Sequence, residues 1–403
     1  MIILDRHLEI KSKHFMVIIN HLNSNSSNSR LVGGVVRDSL IGINFSDIDI
    51  ATDLVPDRVI KILTSYGIKV IPTGIKFGTV TAIIKDESFE ITTLRKDINC
   101  DGRRASVEYS SDFAEDAERR DFAINALSYC PIQKKIYDYH GGIADLEARK
   151  VVFIGDAAKR VQEDYLRILR FFRFSSRYAK EIDSSGLKIC IKFKGYLKNL
   201  SQERIKLEID SLMLSVNAPK TLQLMNDSGI LSKILPVKNY DLDLHLQALS
   251  LSEQFKISPT LPTMYSVLFM HNKNITFSDL TDLKFSKTDA KIIMKMRLLM
   301  DLKDKQDLIF SLKNIWLEER DFLQYFIIFS LLFDDNQFVC DLCEELSERE
   351  VPVFPVVGND ILIMGYQGRE VGNILEYLKK KWIKSDFKDK KPFLLDAVLE
   401  NEK

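Results

Sequence analysis

The chain has no net charge: 57 Lys and Arg stand against 57 Asp and Glu in 403 residues. Overall charge therefore announces no nucleic-acid partner, and any such surface has to be local. Cysteine is scarce, five in all, odd in number and without framework spacing. That excludes a disulfide scaffold and predicts reduced thiols in a cytoplasmic protein. Cys340 and Cys343 form one C-x-x-C with no second pair, in an acidic, helix-like stretch, so the spacing points away from a metal site. No segment reaches the roughly 18 apolar residues of a membrane span. The most apolar run, around Phe326 to Phe333, reads as a short buried helix. The N-terminus carries Asp5, Arg6 and Glu9 and lacks the apolar core of a secretory signal. What remains is an ordinary globular mixture, 45% hydrophobic and 28% charged, long enough for two or more compact units.

Chemistry concentrates between Leu31 and Thr52. An apolar β-branched run ends in Gly33-Gly34 and is followed by Arg37 and Asp38. Asp47-Ile-Asp49 then lies inside a second apolar run. In a strand, residues i and i+2 share a face, so Asp47 and Asp49 point together while Ile48 and Ile50 face a core. Side-by-side carboxylates repel unless a cation sits between them, and a hard divalent ion such as Mg2+ is the usual occupant. Gly33-Gly34, at a strand-to-helix turn, lets backbone N–H groups approach a phosphate. Alone, Asp-x-Asp is most often a solvated strand edge. The two signals together describe a triphosphate cradle beside a metal pair.

Residues 1–22 read as a lead-in helix and Asn23 to Ser29 as a loop. Pro56 opens a helix that stops at Gly67, and short β-rich runs follow at 68–71, 79–84 and 89–93. Glu90, between Phe89 and Ile91, reads as a buried acid in need of a partner, either a nearby Arg or a metal shared with Asp47 and Asp49. Arg95 to Glu118, including a turn at Asp101-Gly-Arg-Arg104, reads as a long mobile loop. Arg119-Arg120-Asp121 then precedes Phe122 and Asn125-Ala126. A strand over 136–138 ends at Gly141-Gly142, where His140 reads as a packing residue.

A helix predicted over 157–178 carries Glu163-Asp164-x-x-Arg167, then Arg170, Arg173 and Arg177. Asp164, Arg167, Arg170 and Arg173 recur every third residue and form one broad polar face. Four arginines without matching acids on that face call for anions. Leu200-Ser-Gln-Glu203-Arg204 opens another amphipathic helix, assigned to stability and not to chemistry. Beyond Leu231 only helical periodicity is evident. Lys379–Lys381 and Lys388–Lys391 there are either phosphate-tracking clusters or solvated helix ends.

In this order and register, the motifs resemble the polymerase-beta-type nucleotidyltransferase superfamily. More narrowly, they resemble the class II tRNA nucleotidyltransferases (CCA-adding enzymes) and the related bacterial poly(A) polymerases. The resemblance covers about 30 to 215. It implies an α+β architecture: a mixed-sheet, palm-like catalytic head over 1–151, a helical neck that selects the base over 152–230, and a helical body and tail that binds tRNA over 231–403. It implies that Asp47, Asp49 and Glu90 hold two Mg2+ ions, and that Gly33, Gly34 and Arg37 contact the triphosphate. Arg119, Arg120 and Asp121 would read the ribose. Asp164 would accept from the exocyclic amine of cytosine or adenine while Arg167 donates to ring acceptors of the same base. Arg170 and Arg173 would hold triphosphate or primer.

The region 95–118 corresponds to the loop associated in such enzymes with adding the terminal A. No His-Asp doublet occurs, so the phosphohydrolase domain attached in some relatives is not indicated. The expected activity is CCA addition to tRNA from CTP and ATP. The alternatives are a poly(A) polymerase, a CC-only or A-only enzyme, and a silent tRNA-binding protein. Oligomeric state is left open.

Overall fold

The computed structural model describes residues 2–400 apart from 6, 7, 9, 11, 26, 46, 100–105, 216, 238, 273, 300, 301, 303, 319–321 and 333–335. The chain divides into two compact units, Met1–Leu235 and Pro236–Lys403. The turn expected at Asp101–Arg104 lies outside the described residues.

In the first unit, β1 (Ile2–Asp5) precedes α1 (His14–Leu22), so the N-terminus is not simply a lead-in helix; β1 pairs with a late strand of the head. Then come β2 (Ser29–Val32), α2 (Gly34–Leu40), β3 (Ile48–Thr52), α3 (Pro56–Ser65), β4 (Lys69–Gly74), β5 (Thr79–Ile84) and β6 (Glu87–Thr93). β7 (Arg95–Asn99) and β8 (Ser106–Tyr109) form an antiparallel hairpin, followed by α4 (Phe113–Glu118). The stretch expected to be a long loop is therefore, where it is described, mostly a hairpin and a short helix. β9 (Ser128–Cys130), β10 (Lys135–Asp138) and α5 (Gly142–Glu147) complete the head.

One mixed sheet runs in the order β1-β10-β9-β2-β3-β6-β5-β4. Its neighbours are antiparallel except β3 and β6, which run parallel with Asp49 beside Glu90. The pleat explains the division of faces. Ile48 and Ile50 of β3, with Phe89 and Ile91 of β6, are buried in a core that includes Ile18, Ile19 and Leu22 of α1 and Val59 and Leu63 of α3. Asp49 and Glu90 project from the other face. α3 fits this role: Pro56 starts it, Val59 and Leu63 recur one turn apart, and Gly67 ends the turn with φ +75°.

The helices that follow are α6 (Ala157–Glu163), α7 (Leu166–Tyr178), α8 (Ser184–Phe193), α9 (Gln202–Met213) and α10 (Ala218–Asp227). The continuous helix expected over 157–178 is broken. Asp164 is extended, with φ −156° and ψ 110°, and its Oδ1 accepts from Leu166 N at 3.1 Å. A short acidic side chain that caps the following turn competes with helix continuation. Phe171, Phe172 and Phe174 bury the apolar side of α7.

Among the described residues, regular structure in the second unit is entirely helical, from α11 (Leu242–Gln254) and α12 (Leu261–Leu268) to a last helix at Lys391–Glu400. Trp316, Phe326 and Ile328 anchor one core, Trp382 and Leu378 another. The apolar run near Phe326 is a helix over Leu323–Leu332. In the lysine clusters, Lys379 pairs with Glu318 at 2.7 Å, Lys380 with Glu376 at 2.9 Å and Lys391 with Asp360 at 2.6 Å. That pairing favours plain helix surfaces over phosphate tracking. No helix is long and apolar enough to cross a membrane, among the described residues.

Candidate active site

β3 and β6 present their polar face to a cleft of about 540 Å³ that α7 and α9 also line. Of the thirteen residues expected to carry function, Gly33, Gly34, Arg37, Asp49, Glu90, Arg119, Arg120, Asp121, Asp164, Arg167 and Arg170 line it. Asp47 lines an adjoining cavity of about 500 Å³ that shares Asp49, Gly34 and Arg37. Arg173 lines neither.

The sheet wall is acidic. Burial and the neighbouring Glu90 charge push the Asp49 carboxyl up to about 6; Asp47 adds to the rise and Arg120 opposes it. Glu90 is exposed to the cleft and not buried as expected, because only the alternate residues Phe89 and Ile91 turn inward. Among the described residues, neither Asp49 nor Glu90 makes an ion pair, and no three carboxylate, His or Cys groups are already arranged around a metal. The donor set nonetheless fits a hard divalent cation. Oxygen donors with a raised carboxyl pKa gain from a cation, and Mg2+ takes one or two carboxylates plus substrate phosphates and waters.

The turn between β2 and α2 joins this wall to the next. Gly33 has φ +70°, and a Cβ there would lie 3.1 Å from Arg120 Nη1. Arg37 is buried: Nε donates to Asp38 Oδ1 at 2.7 Å and Nη1 to Asn125 Oδ1 at 2.5 Å. Its Nη2 lies beside Gly34. Tyr178 donates to Asp38 at 2.9 Å, and burial together with Asp38 pushes that phenol up to about 12.

The opposite wall carries charges that are already matched. Asp116 receives both Arg119 and Arg120, at 2.7 and 3.1 Å. Burial alone would raise Asp116, and the two guanidinium groups hold it below the usual carboxylate range. Asp121 Oδ1 accepts from Phe122 N and Asn125 Nδ2, and Oδ2 from Arg170 Nε at 2.5 Å. Its carboxyl is likewise held low by Arg170 against the effect of burial.

The arginines of α7 do have acids, supplied by neighbouring elements. Glu208 of α9 lies 3.6 Å from Arg170 and 2.9 Å from Arg173. The second contact is misaligned for a hydrogen bond. Arg167 donates to Glu163 at 2.6 Å. Periodicity along α7 could not reveal partners from α9, because the pairing is tertiary.

Two residues given no chemical role also belong here. Asn125 links Arg37, Asp121 and, through its carbonyl, Arg120 at 3.1 Å. Its place after Arg-Arg-Asp was the available signal. Arg204, assigned to helix stability, lines the cleft and donates to Asp164 Oδ2.

Comparison with known proteins first gives the class. The Poly A polymerase head domain family matches residues 29–152, and the family described as a probable RNA and SrmB-binding site of polymerase A matches 181–242. The CCA tRNA nucleotidyltransferase 1, mitochondrial, of Mus musculus is 35% identical over 383 residues, 92% of this chain and 86% of that protein. The chain belongs to the CCA tRNA nucleotidyltransferase family, whose members are metal-dependent enzymes. The fold is shared with a CCA-adding enzyme of Bacillus stearothermophilus in complex with CTP, at TM-score 0.75 and 21% identity, covering 96% of this chain and 98% of that one. It is also shared with a Thermotoga maritima CCA-adding enzyme complexed with tRNA, at TM-score 0.68 and 17% identity, covering 96% and 94%. The relatives' mitochondrial designation overturns the cytoplasmic location expected from the cysteines and points to the mitochondrion. Unpaired cysteine spacing does not choose among compartments that keep thiols reduced.

Proposed function

We propose that this chain builds tRNA 3′ ends, adding C, C and A from CTP and ATP without a nucleic-acid template and releasing pyrophosphate. The observation that carries the reading is one cleft with carboxylates on its sheet wall and the Asp164 and Arg167 side chains on its helical wall. In this reading residues 1–151 do the transfer, 152–230 choose the base and 231–403 bind tRNA.

Each side chain then has a task. The Gly33-Gly34 backbone and Arg37 Nη2 receive the triphosphate. Asp47, Asp49 and Glu90 would hold two Mg2+ ions, which when bound would supply neutralisation of phosphate charge and a more acidic primer hydroxyl. Arg119, Arg120 and Asp121 receive the ribose. Asp121 has a lone-pair site left after its three internal contacts, since a carboxylate offers about four.

Asp164 accepts from the exocyclic amine of cytosine or adenine, and Arg167 donates to ring acceptors of the same base. Uracil and guanine present the opposite pattern. Arg170 faces triphosphate or primer while Arg173 steadies Glu208 behind it.

The test is end-labelled tRNA lacking CCA, incubated with CTP and ATP separately and together. Growth that stops after three additions is expected. Long A tails, or growth confined to CC or to A, would replace this reading with a poly(A) or partial enzyme.

A further inference from the structure

Asp164 is held at two points. Its Oδ1 accepts from Leu166 N at 3.1 Å, and its Oδ2 accepts from the Arg204 guanidinium. Arg167 is held by a different set: Glu163 at 2.6 Å and the carbonyls of Arg160 and Arg119, each at 3.0 Å. The two proposed base readers are thus anchored independently, and Arg204 anchors the carboxylate alone. Arg204 reaches it from α9, one turn before Glu208 on the same helix.

A carboxylate fixed by one hydrogen bond can still turn about its Cβ–Cγ bond. A second donor on the other oxygen fixes its plane and leaves the remaining lone pairs aimed at one place. The pairing also occupies the guanidinium. An unpaired arginine in a base pocket is a donor, and donors suit the keto oxygens of uracil and guanine. Packing does not require the ion pair, because Ile205, Ile209 and Leu212 bury the α9 side of the neck. Ion pairs this exposed, 34% and 27% at the two side chains, contribute little to stability.

We propose that Arg204 is a positioning residue for base selection: by clamping Asp164 it aims the acceptor at amino bases and withholds its own donors from keto bases. This rests on the reading that Asp164 receives the base amine.

The experiment measures kcat and KM for single additions of CTP and UTP to tRNA lacking CCA, and of ATP and GTP to tRNA ending in CC. It compares the unaltered chain with Arg204→Gln, Arg204→Lys and Asp164→Ala. In Arg204→Gln the CTP-over-UTP and ATP-over-GTP ratios of kcat/KM are expected to fall about tenfold, chiefly through KM for CTP and ATP. Arg204→Lys, which keeps a donor but cannot fix the plane, should recover part of the loss. Asp164→Ala should abolish the preference.

If Asp164→Ala leaves the ratios intact, the base-reading role fails and this inference with it. If Asp164→Ala abolishes them while Arg204→Gln lowers all four nucleotides alike, or none, only the role of Arg204 is overturned. Should Arg204→Gln not fold, Arg204→Lys decides, with about a threefold loss expected and an unchanged ratio overturning the proposal.

Discussion

The two walls of the cleft are built on opposite electrostatic terms. On the sheet wall, Asp49 and Glu90 stand side by side and make no ion pair among the described residues, and the Asp49 carboxyl is pushed up. On the helical wall and behind it, Asp116, Asp121, Glu163, Asp164 and Glu208 each meet an arginine, although burial still pushes the Glu208 carboxyl up. Charge left unmatched in a protein marks a place that gains from a ligand, whereas matched charge marks a surface whose shape is already set. In the proposed reading the metal and triphosphate go to the first wall, and recognition by fixed donors and acceptors to the second.

The largest expected effect breaks the sheet wall. Asp49→Ala should lower nucleotide transfer by about a thousandfold, some 4 kcal/mol of transition-state stabilisation, while leaving the melting temperature unchanged or raised. Transfer that persists in purified Asp49→Ala would mean that this wall does no chemistry and would revive the silent tRNA-binding protein.

Next comes the helical wall, where the same kind of change should damage folding. Glu208→Ala leaves Arg173 without this acid and Arg170 with Asp121 alone, and because burial already pushes the Glu208 carboxyl up the expected loss is about 2 kcal/mol. Urea unfolding reads this, and a loss below about 1 kcal/mol would show that the wall is not set by its ion pairs. Gly33→Ala tests the hinge between the walls. Its φ of +70° with ψ −124°, a region almost reserved for glycine, predicts a loss of about 2–3 kcal/mol, with Arg120 displaced.

The smallest effect is protonic. The folded Asp49 value, about 6, lies above its ordinary 3.8. Folding therefore takes up a proton in that window. Stability from this group is complete below pH 3.8 and is lost as pH rises through 6. Binding a divalent cation at pH 6 should then release about half a proton, read by calorimetry in buffers of different ionisation heat. No release would place the cation elsewhere.

How much of this was legible follows from distance along the chain. Gly33-Gly34, Asp47-x-Asp49, Arg-Arg-Asp and Glu163-Asp164-x-x-Arg167 are local strings, and the structure gathers nearly all of them at one cleft. The strands and α3 were readable because alternation and the Pro56 and Gly67 punctuation are local too. Glu90 was misjudged as buried because its neighbours are apolar, although strict alternation already turned it outward. The acids that match α7 were invisible because Glu208 lies a helix away. The break at Asp164 was hidden by a helical pattern that runs straight through it. The polar composition of 95–109 concealed a hairpin whose partners are backbone groups.

The parallel register of β3 with β6 also limits how this chain can change in length. Because successive strand residues alternate faces, deleting one residue inside either strand would exchange Asp49 or Glu90 for a core-facing Ile or Phe. The sheet would survive and the carboxylate pair would not. Insertions are then tolerable in the loops between these elements, while residue parity within β3 and β6 is frozen.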